Sequence, residues 1–165
     1  MNGYVEVVSR SADETRTVGQ RLASLLHAGD VVVLSGDLGA GKTTLTQGIA
    51  AGLGVSGAVT SPTFVISRVH RPTGGGPGLV HVDAYRLSGA GELDDLDLDE
   101  TLADAVTVVE WGDGLADGLS GERLRIELMR HAGAEQADVR TIGVEGIGGR
   151  WARAQLERVL GPDLG

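Results

Sequence analysis

Short apolar runs alternate with amphipathic stretches along the chain, and their order predicts an α/β fold. The β-branched run VVVL at 31–34 lies between polar and glycine-rich residues, which is typical of a strand buried on both faces of a parallel sheet. VTVVE at 106–110 repeats this pattern and ends on an acid, and YVEVV at 4–8 is also strand-like. Each of these runs predicts one strand.

Three stretches are predicted to be helical. Ser11 can cap a helix, with Glu14 three residues later completing a capping box, and this helix is expected to run to about His27. A second helix is expected over 42–53, after a glycine-rich segment. RWARAQLERVL at 150–160 predicts a third, amphipathic helix. Its apolar residues fall mostly on one side: Trp151, Ala154, Leu156, Val159 and Leu160.

The remaining apolar stretches predict further strands. TFVISRVH at 63–70 and LVHVDAYR at 79–86 flank the breaker-rich RPTGGGPG, which indicates a loose hairpin. RLRIELM at 123–129 and DVRTIGVEG at 138–146 alternate like half-exposed strands. We therefore predict one domain over 1–165, an α/β sandwich with a mainly parallel central sheet, added antiparallel strands and helices on both faces.

Composition excludes several classes of protein. The 165 residues include no cysteine, which excludes disulfides, thiolate zinc sites and cysteine nucleophiles. The N-terminal MNGYVEVVSRSADE lacks the basic start and apolar core of a signal peptide, and no apolar run approaches the ~20 residues of a membrane-spanning helix. We therefore expect a cytoplasmic protein that makes no membrane contact.

The acidic balance limits the partners that we expect. A formal net charge of −9 argues against a large nucleic-acid footprint, because nucleic acids are bound mainly through clustered Lys and Arg. We expect no DNA binding, and contact with RNA only through a partner protein. The six carboxylates of GELDDLDLDE at 91–100 form either a solvated surface or a docking surface for a basic partner.

Residues 36–43, GDLGAGKT, carry a phosphate-binding motif. They fit G-x-x-x-x-G-K-[ST] between a predicted strand and a predicted helix, which indicates a P-loop and a P-loop NTPase-like three-layer sandwich. Glycines let the backbone wrap phosphate oxygens closely, and the helix presents its positive N-terminal end to them. Lys42, the one lysine beside thirteen arginines, can reach between the β- and γ-phosphates of a triphosphate. Thr43 can offer its hydroxyl to Mg²⁺.

A P-loop enzyme also needs a carboxylate near the metal ion. Asp83 and Glu110 both end apolar runs and are expected at the carboxyl edge of the sheet, and the sequence does not rank them. His81 alternates with Asp83 on its strand, so it either joins this polar site or is a structural histidine. TSPTF at 60–64 is placed to present Thr63 to a γ-phosphate.

The motifs GDLGAGKTT, SPTF, HVDAYRL and VEWGD follow one another in an order and spacing that closely resembles the bacterial TsaE (YjeE) family. The resemblance covers about residues 11–127. It implies a small ATPase that binds ATP and Mg²⁺ and acts with the TsaD and TsaB proteins. That complex installs a threonylcarbamoyl group on the tRNA adenosine next to the anticodon.

The resemblance also implies roles for individual residues. Thr43 and Glu110 would bind Mg²⁺, and Lys42, Asp83 and Glu110 would take part in hydrolysis. The residues implied to lie at or near the nucleotide are Ser11, Gly39, Ala40, Gly41, Lys42, Thr43, Thr44 and Trp111.

Two other functions stay open on the residues alone. A small-molecule kinase uses the same loop, although its usual Arg-rich lid has no counterpart in the acidic, arginine-free segment 92–104. A nucleotide-gated binding module would need nucleotide but not hydrolysis. A GTPase is excluded, because its Asn-Lys-x-Asp motif needs a second lysine. Since no internal arginine finger is evident, we expect slow ATP turnover by the protein alone.

Overall fold

A computed structural model describes nine parts of the chain: residues 3–36, 41–55, 67–70, 77–83, 105–110, 123–130, 139–148, 151 and 153–161. For 67–70, Asp83 and 153–154 it describes the backbone alone. Several predictions lie outside these residues: the strand segments 63–66 and 84–86, the TSPTF loop and the acidic segment 91–100.

The described residues form seven strands and three helices. In chain order these are β1 Gly3–Ser9, α1 Ala12–Ala23, β2 Val31–Gly36, α2 Lys42–Leu53, β3 Ser67–His70, β4 Gly78–Asp83, β5 Ala105–Glu110, β6 Arg123–Arg130, β7 Arg140–Ile147 and α3 Arg153–Leu160. The predicted bounds of α2 are confirmed at both ends, and each predicted strand is found in the described residues, although β7 begins at Arg140 and so leaves out Val139.

The seven strands form one mixed sheet in the order β1-β7-β6-β2-β5-β4-β3. β2 pairs parallel with both β5 and β6, and β4 pairs parallel with β5. β7 is antiparallel to both of its neighbours, so β1 points in the same direction as β6. β3 and β4 pair antiparallel, as the predicted hairpin requires. The prediction of a mainly parallel sheet with added antiparallel strands is therefore confirmed.

The centre of the sheet is buried on both faces, as its apolar runs predict. All four residues 31–34 of β2 are at most 2 % exposed, and all six residues of β5 are buried. A strand that lacks a solvent-facing side needs no alternation of polar residues, which explains the continuous VVVL and AVTVV runs.

The three described helices pack against one face of the sheet. Each helix contributes two large aliphatic side chains that are at most 2 % exposed. These are Val18 and Leu22 of α1, Leu45 and Ile49 of α2, and Leu156 and Leu160 of α3. Alternate residues of the strands, such as Val32, Leu34 and Val108, complete the same core. The prediction of helices on the second face lies outside the described residues.

Helices α1 and α2 approach each other closely because glycines line their contact. A Cβ atom added at Gly48 of α2 would overlap the carbonyl oxygen of Arg16, and one added at Gly19 of α1 would overlap that of Leu45. One turn further along α2, a Cβ atom at Gly52 would lie 2.9 Å from Gln20 O. The backbones of the two helices are thus in direct contact, which fixes the position of α2 and of the residues at its start.

Two predicted helix bounds are wrong. α1 ends at Ala23 rather than near His27, because the amides of Ser24, Leu25 and Leu26 bond to carbonyls three residues back and tighten the chain into a turn. The last helix begins at Arg153 rather than at 150. Trp151 precedes it and packs directly on Gly146 of β7, where it is 1 % exposed.

Among the described residues, the large apolar side chains that are exposed all lie on one face of the sheet. This face is formed by β1, β7 and β6. Tyr4 is 47 %, Val8 42 % and Met129 38 % exposed. Glu6, Glu127 and Glu145 accompany them on this face, by strand alternation and register. None of the helices in the described part of the chain combines the length and apolar character needed to cross a membrane.

We predict that Gly48→Ala lowers the free energy of unfolding by about 1–3 kcal/mol, because the added methyl group meets backbone that cannot move aside. This loss exceeds the gain of up to about 1 kcal/mol that alanine brings in helix propensity. Urea denaturation measures the change. Gly161→Ala is the control, since its Cβ atom would lie 3.8 Å from the nearest atom, Glu157 O. Equal stability of the two variants would contradict the close packing.

We also predict that the Tyr4 hydroxyl loses its proton at a higher pH than an ordinary tyrosine. Its hydroxyl donates to Glu6 Oε2 at 2.8 Å, and this bond, followed by burial and the charges of Glu6, Glu127 and Glu145, raises the pKa of Tyr4 above 10.0. A raised pKa favours the protonated form in the folded protein. The resulting stabilisation is therefore complete below the ordinary pKa and is lost as the pH rises through the raised value.

Absorbance titration of tyrosinate, as the difference between the wild-type protein and Tyr4→Phe, measures this pKa. Glu6→Gln removes the acceptor charge and should lower it. An unchanged titration in Glu6→Gln would contradict the assigned cause.

Candidate functional site

The carboxyl ends of three parallel strands meet at one edge of the sheet. Glu110, the last residue of β5, is opposite Leu34 of β2 on one side and Asp83 of β4 on the other. β2 ends at Gly36, where the P-loop motif begins, and α2 starts at Lys42. The prediction that both acids lie at the carboxyl edge of the sheet is confirmed for their backbones.

Helix α2 begins without a side-chain cap. Its N-cap residue is Gly41, with φ 106° and ψ 17°, a left-handed conformation that favours glycine, and no side chain bonds to the first turn from this position. The first N–H groups of any helix lack intrahelical partners, and here no capping side chain at position 41 binds them. This end of α2 is therefore suited to an anion.

Lys42 is folded back toward the end of β2. The residue is 7 % exposed, and Nζ donates to the carbonyl oxygen of Gly36 at 2.6 Å. Thr46, one turn later, donates its hydroxyl to the Lys42 carbonyl oxygen at 2.9 Å. The ammonium group is thus held next to the first residue of the P-loop motif.

Thr43 and Glu110 come together although 67 positions separate them in the chain. The hydroxyl of Thr43 lies 3.5 Å from Glu110 Oε1, and Glu110 is 4 % exposed. Adjacent oxygen ligands of an octahedral Mg²⁺ ion, at about 2.0–2.1 Å from the ion, lie about 2.9 Å apart, so a small side-chain adjustment would let these two oxygens share one ion. Hydroxyl and carboxylate oxygens are also ligands that Mg²⁺ accepts, so the residues present fit this ion.

His81 also contacts Glu110. Its Nε2 atom lies 3.1 Å from the same oxygen, Oε1, and the histidine is fully buried. The sequence left two roles open for His81, and the structure brings it into the polar site. The alternation of His81 with Asp83 on β4 is the sequence signal that made the polar site one of these two roles.

The first turn of α1 lies beside the start of α2. A Cβ atom at Gly41 would be 3.9 Å from Thr15 Cγ2, and Thr15 shares a 2.7 Å hydrogen bond with Ser9. Ser11 caps α1, since its hydroxyl accepts from the Glu14 amide at 3.1 Å. The other half of the predicted capping box differs, because Glu14 Oε2 accepts from the amide of Arg10 rather than from that of Ser11.

The structure places the implied site residues as follows. Lys42, Thr43 and Glu110 are brought together, with Gly41 at the start of the helix and Thr44 half-buried in the same turn. Asp83 is adjacent to Glu110 in the strand register. Gly39, Ala40, Trp111 and Thr63 lie outside the described residues.

No group of three or more His, Cys, Asp and Glu side chains that could hold a metal ion occurs among the described residues. Mg²⁺ in nucleotide sites commonly needs only one or two carboxylates, because substrate phosphates and water supply its other ligands. A Mg²⁺ site built from Thr43, Glu110 and a nucleotide therefore needs no cluster of three such side chains.

Comparison with known proteins points to one family. The model of the family described as threonylcarbamoyl adenosine biosynthesis protein TsaE matches residues 9–140. The tRNA threonylcarbamoyladenosine biosynthesis protein TsaE of Streptomyces coelicolor is 58 % identical over 147 residues, which cover 88 % of this chain and 99 % of that protein.

More distant relatives agree with this match. The TsaE protein of Bacillus subtilis is 41 % identical over 128 residues, covering 77 % of this chain and 78 % of that protein. The crystal structure of Bacillus subtilis YdiB superposes with a TM-score of 0.74 at 32 % identity, over 96 % of this chain and 95 % of that one. With the sheet described above, this likeness shows a P-loop NTPase-like α/β fold.

We predict that Ser11→Ala lowers the free energy of unfolding by about 1 kcal/mol through loss of the α1 cap, and that Ser11→Asp restores it, because aspartate is an equally good cap. Thermal denaturation measures both changes. The same pair tests a nucleotide contact, since a carboxylate at position 11 would weaken ATP binding by charge repulsion if Ser11 touches the phosphates. Unchanged ATP affinity in Ser11→Asp would show that Ser11 caps α1 and does not contact the phosphates.

Proposed function

The chain belongs to the TsaE family of tRNA threonylcarbamoyladenosine biosynthesis proteins, and on this premise we propose that it is a Mg²⁺-dependent ATPase of that pathway. We propose that it acts in a complex with the TsaD and TsaB proteins, which hold the tRNA. Its net charge of −9 supports an indirect contact with RNA. The proposal includes a cytoplasmic location, where tRNA is modified.

The convergence of Lys42, Thr43 and Glu110 at one edge of the sheet is the observation that carries this proposal. A cation, a hydroxyl and a carboxylate meet there beside a helix start that no side chain caps. These groups match the charges of a nucleoside triphosphate with its metal ion.

Each of these groups has a separate task in the proposed reaction. Lys42 would move its ammonium from the Gly36 carbonyl to the phosphates and stabilise the charge that develops on the γ-phosphoryl group. Gly41 and the first turn of α2 would bind phosphate oxygens through the backbone. Thr44 and, outside the described residues, Gly39 and Ala40 would extend this contact.

Thr43 and Glu110 would hold Mg²⁺, and Asp83 would act as the second acid needed for hydrolysis. When bound, Mg²⁺ adds positive charge at the β- and γ-phosphates. Ser11 and Trp111 would lie at the rim of the nucleotide site. These assignments stay predictions, to be tested one residue at a time.

The proposed ATPase is slow without a partner. Within the described part of the chain, the hydrogen bonds of Thr43 and Glu110 involve no arginine. An arginine finger contributes about 10³–10⁵ in rate to related enzymes. A partner that supplies this group, or that positions the TSPTF segment at the γ-phosphate, would therefore accelerate hydrolysis strongly.

We predict that the purified protein with Mg²⁺ hydrolyses ATP at well below the ~10 per second of an ordinary enzyme, and faster with the TsaD and TsaB proteins of the same organism. Lys42→Ala should lower the stimulated rate by about 10²–10³-fold, because it removes a charge that stabilises the transition state. Release of inorganic phosphate measures the rate.

Arg158→Ala is the matched control, because it removes one exposed positive charge on α3 and should leave the rate unchanged. Turnover of ~10 per second or more by the protein alone would contradict the need for a partner. If Glu110→Ala supports tRNA modification while Lys42→Ala does not, nucleotide occupancy suffices and the protein is a nucleotide-gated module. Absence of both stimulation and association would refute the proposed complex.

A further inference from the structure

The contact between His81 and Glu110 joins two side chains that the fold removes from solvent. His81 is 0 % and Glu110 4 % exposed, and Nε2 lies 3.1 Å from Oε1. In register, β4 places His81 next to Val108, two residues before Glu110. Leu79 and Val108, which alternate with these residues on their strands, belong to the core beneath α1 and α2. His81 and Glu110 therefore share the face on which α2 carries Lys42 and Thr43.

The surroundings of the imidazole ring indicate where its proton lies. Nδ1 is buried and has no hydrogen-bond partner in the described structure. With the proton on Nε2, the ring donates to the Glu110 carboxylate and leaves only a lone pair at Nδ1. The other tautomer would bury an N–H group without an acceptor and would turn a lone pair toward the carboxylate oxygen. The hydrogen-bond network thus assigns the proton to Nε2.

This donor has a specific consequence if Glu110 binds a metal ion. In the described residues, Glu110 Oε1 has two polar neighbours, Thr43 Oγ1 at 3.5 Å and His81 Nε2 at 3.1 Å. Thr43 would turn its oxygen to the ion, so His81 would be the donor that still orients the carboxylate. Groups that hydrogen-bond to metal ligands typically change metal affinity or activity by about 10–100-fold when they are mutated.

We propose that His81 is a positioning residue, which holds the Glu110 carboxylate through an Nε2–H hydrogen bond so that it can bind Mg²⁺ together with Thr43. This inference rests on the proposed function, and it assigns His81 no contact with the nucleotide.

A pair of amide substitutions separates the positioning role from a structural one. His81→Gln places an amide nitrogen near the position of Nε2 and keeps the donor to Glu110. His81→Asn places its amide near Nδ1, too far from Glu110. Both variants bury an amide, so a general loss of stability would affect both. Glu110→Gln, which removes the carboxylate charge, serves as the reference for a lost Mg²⁺ ligand.

The readout is the affinity for a non-hydrolysable ATP analogue, measured by calorimetry with Mg²⁺ and with EDTA. We expect the same affinity in EDTA for all variants. We expect the tightening by Mg²⁺ to be reduced by about 10–100-fold in His81→Asn and to be largely kept in His81→Gln.

The outcomes distinguish the two proposals. If the wild-type protein does not bind the analogue, the proposed function fails and the inference about His81 fails with it. If the wild-type protein shows the Mg²⁺ effect and His81→Asn keeps it, the proposed function stands and the positioning role is overturned. Equal losses in His81→Gln and His81→Asn would also overturn it.

A measurement on the wild-type protein covers the case in which His81→Asn does not fold. Nitrogen-15 NMR of the histidine rings reports which nitrogen carries the proton, and the His81→Gln spectrum identifies the His81 signals. We expect a proton on Nε2 and none on Nδ1. A proton on Nδ1 would overturn the inference, because Nε2 could then not donate to Glu110.

Discussion

The parallel pairing of β2 with β5 is the constraint on which the candidate site depends. It places Glu110 opposite Leu34, level with the end of the strand that leads into the P-loop. Side chains alternate between the faces of a sheet, so a slip of one residue would turn Glu110 to the face opposite α2 and away from Thr43. Such a slip would also leave the buried Glu110 carboxylate without its partner His81, which is costly for a charged group.

Burial of the polar site is costly, and hydrogen bonds offset that cost. Lys42 and Glu110 are nearly removed from water, which is unfavourable for a charge unless a partner replaces the lost hydration. Lys42 donates to Gly36 O, and Glu110 accepts from His81. A buried contact such as that between Glu110 and His81 contributes little net stability, because the lost hydration offsets the attraction. The fold is stabilised instead by the aliphatic core between the sheet and the helices, and the site depends on that core for its geometry.

Local patterns predicted much of the fold, and the errors fall at helix ends, where individual contacts override apolar periodicity. Glycines on both sides of 42–53 and the apolar run of β5 are local signals, and both elements were predicted correctly. Apolar periodicity includes Trp151 in the last helix, yet Trp151 packs on Gly146 before the helix begins. The sequence also predicted that α1 continues past Ala23 to about His27. In the structure, the amides after Ala23 bond to carbonyls three residues back and tighten the chain into a turn.

The sequence by itself determined the phosphate-binding motif, the helix that follows it and two acids that each end an apolar strand. These features follow from residue types and short spacings, because glycine conformation, helix periodicity and strand burial act over a few residues. Only the tertiary structure decided that Glu110 contacts Thr43 and that His81 contacts Glu110. Residues 67 and 29 positions apart meet because of the order and register of strands, and many pairings across the whole sheet set that order together.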